Sequence, residues 1–85
     1  MMEIKSGMLA KSKAGHDKGK IYLIIRQDEA YVYLADGSAK TFADPKKKRK
    51  KHVQIICRQY EISEIDDSRI HALIKEYEKE IRPTL

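Results

Sequence analysis

The stretch "KSKAGHDKGKIYLII", residues 11–25, decides the fold. Its first half cannot continue a regular element. Gly15 and Gly19 fall within five residues of each other among polar and charged neighbours, which marks a loop. The following "KIYLIIRQ", residues 20–27, is rich in β-branched and aromatic residues and reads as a strand. Ile21, Leu23 and Ile25 fall on one face, Tyr22 and Ile24 on the other. Gly19 stands where the chain turns sharply into that strand, a place for positive φ or a close backbone approach. The lysines flanking it stand out from the strand end, well placed for phosphates.

Outward from this stretch the β pattern continues. Upstream, residues 7–13 alternate, with Met8 and Ala10 opposed to Leu9 and Lys11, and predict a short strand. Downstream, Asp28-Glu29 makes a polar turn into "AYVYLA", residues 30–35, with Val32 and Leu34 opposed to Tyr31 and Tyr33. Asp36-Gly37 predicts a tight hairpin with both turn positions at positive φ, and "SAKTF", residues 38–42, its returning strand. The cationic run "PKKKRKKH", residues 45–52, predicts a solvated loop kept mobile by its own repulsion. "HVQIICRQYEI", residues 52–62, predicts a further strand. Five short strands linked by tight turns make a mainly β chain, curled into a small barrel.

From Ile70 the period changes. Ile70, Leu73, Ile74, Tyr77 and Ile81 follow helical spacing, after caps offered by Asp66, Asp67 and Ser68. One helix is predicted over residues 68–81, packed on the barrel by that stripe and stopped by Arg82-Pro83.

Composition limits the functions available. A chain of 85 residues makes one small domain with a thin core and little room for a deep catalytic cleft. The net charge is +5, but residues 1–60 hold 14 of the 18 Lys/Arg and only 6 of the 13 Asp/Glu. A basic working surface is thus joined to an acidic C-terminal segment. Cys57 is the only cysteine, so neither an internal disulfide nor a multi-cysteine zinc pattern is expected. Three scattered histidines add no ligand set, and no metal or other cofactor is expected. His16-Asp17 needs no acid–base role. The odd spacing of His52 and Cys57 points them to opposite faces of a regular strand. No catalytic constellation is visible, so no enzyme is expected. With no long apolar run, no secretory signal or membrane span is expected, and the chain reads as a cytoplasmic protein, monomeric when free.

Ser12, Lys13, Ala14, Gly15, Asp17, Lys18, Gly19 and Lys20, then the strand at 21–25 and the strand at 30–35 ending in Asp36-Gly37, resemble a KOW motif over residues 9–37. That motif is the short RNA-binding element of several ribosomal proteins and of NusG-type transcription factors. Gly19 matches its best-kept position, and His16 stands where such motifs often have Arg or Lys. Extended through the lysine run, the chain resembles large-subunit ribosomal proteins of the fourteen-e type. It is still more similar to the short KOW-domain proteins of Gram-positive bacteria related to them. The resemblance implies an SH3-like barrel and binding to ribosomal RNA.

The expected RNA-contacting residues are Lys11, Lys13, Gly15, His16, Lys18, Gly19 and Lys20 in the first loop, and Lys46, Lys47, Lys48, Arg49, Lys50 and Lys51 in the second. Lysines supply the phosphate contacts that dominate affinity, while the glycines act through backbone geometry, with an amide offered to a phosphate. Neither loop carries obvious base-reading side chains, so specificity is expected from RNA shape, which suits double-stranded RNA. Tyr31 and Tyr33 share a face, where they either stack unpaired bases or cover the barrel and meet the helix. A second reading is a protein-interaction adaptor of the transcription and translation machinery, with the acidic helix as docking face. "PKKKRK" also has the letters of a nuclear import signal, but it falls inside a compact domain rather than on a free tail.

Overall fold

The computed structural model describes residues 3–81. Five strands form one antiparallel sheet: β1 (Met8–Ser12), β2 (Ile21–Gln27), β3 (Tyr31–Ala35), β4 (Lys46–Arg49) and β5 (Val53–Gln59). A single helix, α1 (Asp67–Ile81), follows. The chain is mainly β with one helix, as its alternation and change of period predict. The stop at Arg82-Pro83 lies outside the described residues.

The strand order is β4-β3-β2-β1-β5, so β4 and β5 are the two edges of the sheet. In a flat sheet those edges would stand about 19 Å apart, four interstrand spacings. Yet only Lys50–His52, a single 3₁₀ turn, joins them. Four Cα–Cα steps reach at most about 14 Å even when extended. The sheet therefore rolls into a barrel-like curve. Register shifts at Met8/Leu9 and Ile24/Arg26 supply bends of the kind that bulges introduce.

Rolling gives the sheet an inside and an outside, both apolar. The inside holds Met8, Ala10, Tyr22, Ile24, Val32, Leu34 and Val53. The outside holds Leu9, Ile21, Leu23, Ile25 and Ala35, covered by Ile70, Leu73 and Ile74 of α1. This second core explains why "IYLII" is apolar at every position: β2 is buried on both faces. The helix is capped by Asp66, whose carboxylate accepts from the Arg69 amide at 2.8 Å. Asp67 instead accepts from the amide of Phe42 and ties the 36–45 segment to the helix start.

Two sequence expectations are corrected. The segment 38–42 forms no strand, and Asp36 keeps a negative φ; only Gly37 is left-handed, at +82°. The Asp36 carboxylate accepts from the amides of Ser38 and Lys40, both at 2.9 Å, which folds the segment into a local loop. A Cβ at Gly37 would lie 2.2 Å from the Asp67 carbonyl oxygen, so glycine lets the helix start pack on this loop. The second correction concerns the cationic run. Lys46–Arg49 is not a loop but strand β4, paired with β3 through Tyr31↔Arg49, Val32↔Lys48, Tyr33↔Lys47 and Leu34↔Lys46.

Candidate nucleic-acid interface

The loop between β1 and β2 is built on backbone bonds between its two ends. Ser12 N–H donates to the Lys20 carbonyl at 3.0 Å, and Gly19 N–H to the Ser12 carbonyl at 2.8 Å. Lys20 N–H donates to the Asp17 carbonyl at 2.9 Å. Gly15 and Gly19 take φ of +83° and +90°, the latter as the sequence predicts. The Gly19 amide is thereby occupied, so it is not the phosphate donor envisaged from sequence. What Gly19 offers is space: a Cβ there would meet nothing within 4 Å.

Asp17 is the hub of this end of the barrel. Its carboxylate accepts from Ser12 Oγ at 2.8 Å, Tyr22 Oη at 2.9 Å, Lys46 Nζ at 2.7 Å and Lys48 Nζ at 3.3 Å. Lys48 Nζ also donates to the Ala14 carbonyl at 3.1 Å. Burial pushes the Asp17 carboxyl upward, but the bonds from Lys46, Ser12, Tyr22 and Lys48 outweigh it and hold it far below the usual carboxylate range. The same burial and the Asp17 charge push the Tyr22 phenol up. A second buried carboxylate, Asp36, takes Lys20 Nζ at 2.6 Å. Burial raises its pKa, and the Lys20 and backbone Lys40 and Ser38 bonds lower it further, to about 2.

The expected site residues therefore divide into two groups. Lys20, Lys46 and Lys48 are each ion-paired with Asp36 or Asp17. Lys11, Lys13, Lys18, Lys47, Arg49, Lys50 and Lys51 have no carboxylate within ion-pair distance among the described residues.

The free cations occupy two places. Lys11, Lys13 and Lys18, with Ser12, Gly19 and Gln54, line a shallow open groove. The Lys11↔Gln54 register places β5 at its side. The Lys13 amide donates to the His52 carbonyl at 2.8 Å and brings the turn bearing Lys50 and Lys51 next to the loop. Glu78 and Ile81 of α1 wall an adjoining hollow with Lys11, Gly19 and Ile21. Lys47 and Arg49 lie elsewhere, on the outer face beside Tyr31. His16 is exposed on the loop without a resolved partner.

Three residues were given no site role from sequence: Asp17 and Asp36, which decide which lysines are free, and Gln54, which completes the groove. The available signal was an acid inside an otherwise basic loop, Asp17 between His16 and Lys18. Among the described residues no group of three or more His, Cys, Asp and Glu could hold a metal. No described helix is long and apolar enough to cross a membrane. The chain matches no family model and no curated protein.

Proposed function

We propose that this protein binds RNA, with ribosomal RNA as the target, through the groove between the β1–β2 loop and β5. It acts in the cytoplasm, in ribosome structure, assembly or translation, and is a monomer when free. One observation carries this reading: Lys11, Lys13 and Lys18, all uncompensated, surround a glycine with open space over its Cα. A polyanion backbone can approach closely there and meet ammonium groups that no internal carboxylate holds back. Lys50 and Lys51 extend the positive surface. The KOW-like letters of residues 9–37 support ribosomal RNA as the class.

Engaging about five phosphates gives a log–log salt slope of roughly −4. The test is affinity for an RNA duplex at two salt concentrations, for the wild type and for a K11Q/K13Q/K18Q variant. The variant is expected to bind more weakly with a slope shallower by roughly 2–3 and an unchanged thermal melt. Affinity insensitive to salt would overturn the reading. Co-sedimentation with ribosomes is expected and should be abolished by ribonuclease. A partner retained after ribonuclease treatment would put the adaptor reading in its place.

A further inference from the structure

The outer face of the sheet is only partly covered by α1. Its helix-side half holds Leu9, Leu23 and Ala35 beneath Ile70, Leu73 and Ile74. Past the helix the same face continues across β3 and β4 with a different composition. Tyr31 and Tyr33 are half-buried, while Arg26, Lys47 and Arg49 are exposed. Their order follows from register: Arg26 lies opposite Tyr33, Tyr33 opposite Lys47, and Tyr31 opposite Arg49.

Each cation here rests on a ring. Arg26 lies 4.4 Å from the Tyr33 ring centre, and Lys47 and Arg49 lie 4.3 Å and 5.5 Å from that of Tyr31. The cation–π contacts hold these side chains over the rings in the free protein. Asp28, in the β2–β3 turn, is the carboxylate facing this patch. It accepts from the Tyr33 hydroxyl at 2.9 Å and from the amides of Ala30 and Tyr31, and it makes no ion pair with any of the three cations. The patch is therefore an ordered, net-positive, aromatic strip. Lys47 and Arg49 are about 7 Å apart along β4, as alternate strand residues are.

We propose that this β3–β4 face is a second binding surface, separate from the groove, whose ligand is a single-stranded RNA segment. Single-stranded rather than duplex RNA fits because only an unstacked base can take the place of Lys47 or Arg49 over the Tyr31 ring, while the displaced cation turns to the flanking phosphate. An acidic protein segment would use the cations but would have little use for the ring. The groove is lined from β1, the β1–β2 loop and β5, whereas this strip lies on the outer face of β3 and β4, joined to the groove side through the 50–52 turn. One molecule thus holds two RNA segments at once, a duplex at the groove and a single strand at the strip. The strip does not rest on the groove reading and can fail without it.

The experiment titrates the full chain with a ten-nucleotide oligouridylate, a ten-base-pair RNA duplex and a poly-glutamate peptide. Five proteins are compared: wild type, K11Q/K13Q/K18Q, K47Q/R49Q, Tyr31→Leu and Tyr31→Phe. The groove variant is expected to keep its oligouridylate affinity. Tyr31→Leu is expected to lose about tenfold for oligouridylate, Tyr31→Phe to lose little, and K47Q/R49Q to lose both affinity and salt dependence. None of the strip variants should move duplex binding by more than about twofold. Thermal melts identify a variant that misfolds, and K47Q/R49Q alters only exposed side chains, so it remains informative if Tyr31→Leu unfolds. The proposal is overturned if the groove variant abolishes oligouridylate binding. It is also overturned if Tyr31→Leu and Tyr31→Phe bind alike, or if poly-glutamate competes for the strip as well as oligouridylate does.

Discussion

Lys46 and Lys48 differ from Lys47 and Arg49 by one position in sequence and by everything else in circumstance. The first pair points to the barrel side with Val32 and Leu34, and both ammonium groups reach Asp17. The second pair points outward, rests on Tyr31 and meets no carboxylate. Four consecutive cations are thus two structural lysines and two available ones, sorted by the period of two of a strand. A charge run counted as six equal contacts overstates the surface charge a ligand would meet.

Substitutions at Asp17 would break this comparison most completely. Asp17→Ala leaves Lys46, Lys48, Tyr22 and Ser12 without their common acceptor. Breaking such a buried pair costs about 3 kcal/mol, the low end of the usual range, because Lys46 keeps about a third of its side chain in solvent. In a domain this size the melting temperature should fall by more than ~10 °C. A fall of under ~3 °C would mean the hub is not structural.

Lys48→Met against Lys47→Met comes next. Lys48, with 11% of its side chain exposed, should cost about 1–2 kcal/mol, since Asp17 keeps Lys46, Ser12 and Tyr22 as partners. Lys47→Met should stay within about 0.5 kcal/mol, as exposed substitutions do. Equal denaturant midpoints for the two would erase the distinction between the faces.

The glycines sharpen it in another way. Gly37→Ala drives a Cβ into the Asp67 carbonyl and the His71 amide, whereas Gly19→Ala meets open space and bears only the strain of φ +90°. Gly19→Ala should cost about 1 kcal/mol and Gly37→Ala clearly more, measured by chemical denaturation. RNA affinity should nevertheless suffer from Gly19→Ala, because its Cβ fills the approach to the groove.

Acid tests the two carboxylates without any substitution. Asp17 and Asp36 both titrate below the ordinary 3.8 in the fold. A depressed folded pKa adds stability that is fully present well above 3.8 and is lost as pH falls through the folded value. The melting temperature should be flat from pH 7 to 5 and decline from about pH 4 down to about 2, where Asp36 titrates. Asp17→Asn should flatten the part of that decline due to Asp17. A melting curve that falls between pH 7 and 5 instead would assign the sensitivity to other groups.

Strands β1 to β3 and the helix were legible because their apolar residues repeat at periods only a strand or a helix satisfies. Lys46–Arg49 was not. Lysine runs carry no alternation to see, and the alternation that exists lies in their partners, Asp17 on one side and Tyr31 on the other. Asp36-Gly37 was misread because the letters suit a two-residue hairpin, while the Asp36 carboxylate forms a local loop and the helix start occupies the space above Gly37. Within the candidate site, the loop, its glycines and the lysine positions were visible in the letters. The pairing that compensates the charges of Lys20, Lys46 and Lys48 was not, since it joins residues up to thirty-one positions apart.

The place of β1 in the sheet has a kinetic consequence. It lies between β2, its near neighbour in sequence, and β5, the last strand made, with Leu9 opposite Ile56. One side of β1 closes through a short hairpin. The other stays open until most of the domain has been synthesised and a large loop has been drawn shut against its entropy. Folding should therefore be limited by this late, long-range closure, on the millisecond-to-second scale of β-rich domains. On the ribosome, the nascent β1–β2 hairpin leaves the outer edge of β1 unpaired until β5 arrives, and its Leu9 face bare until α1 packs on it.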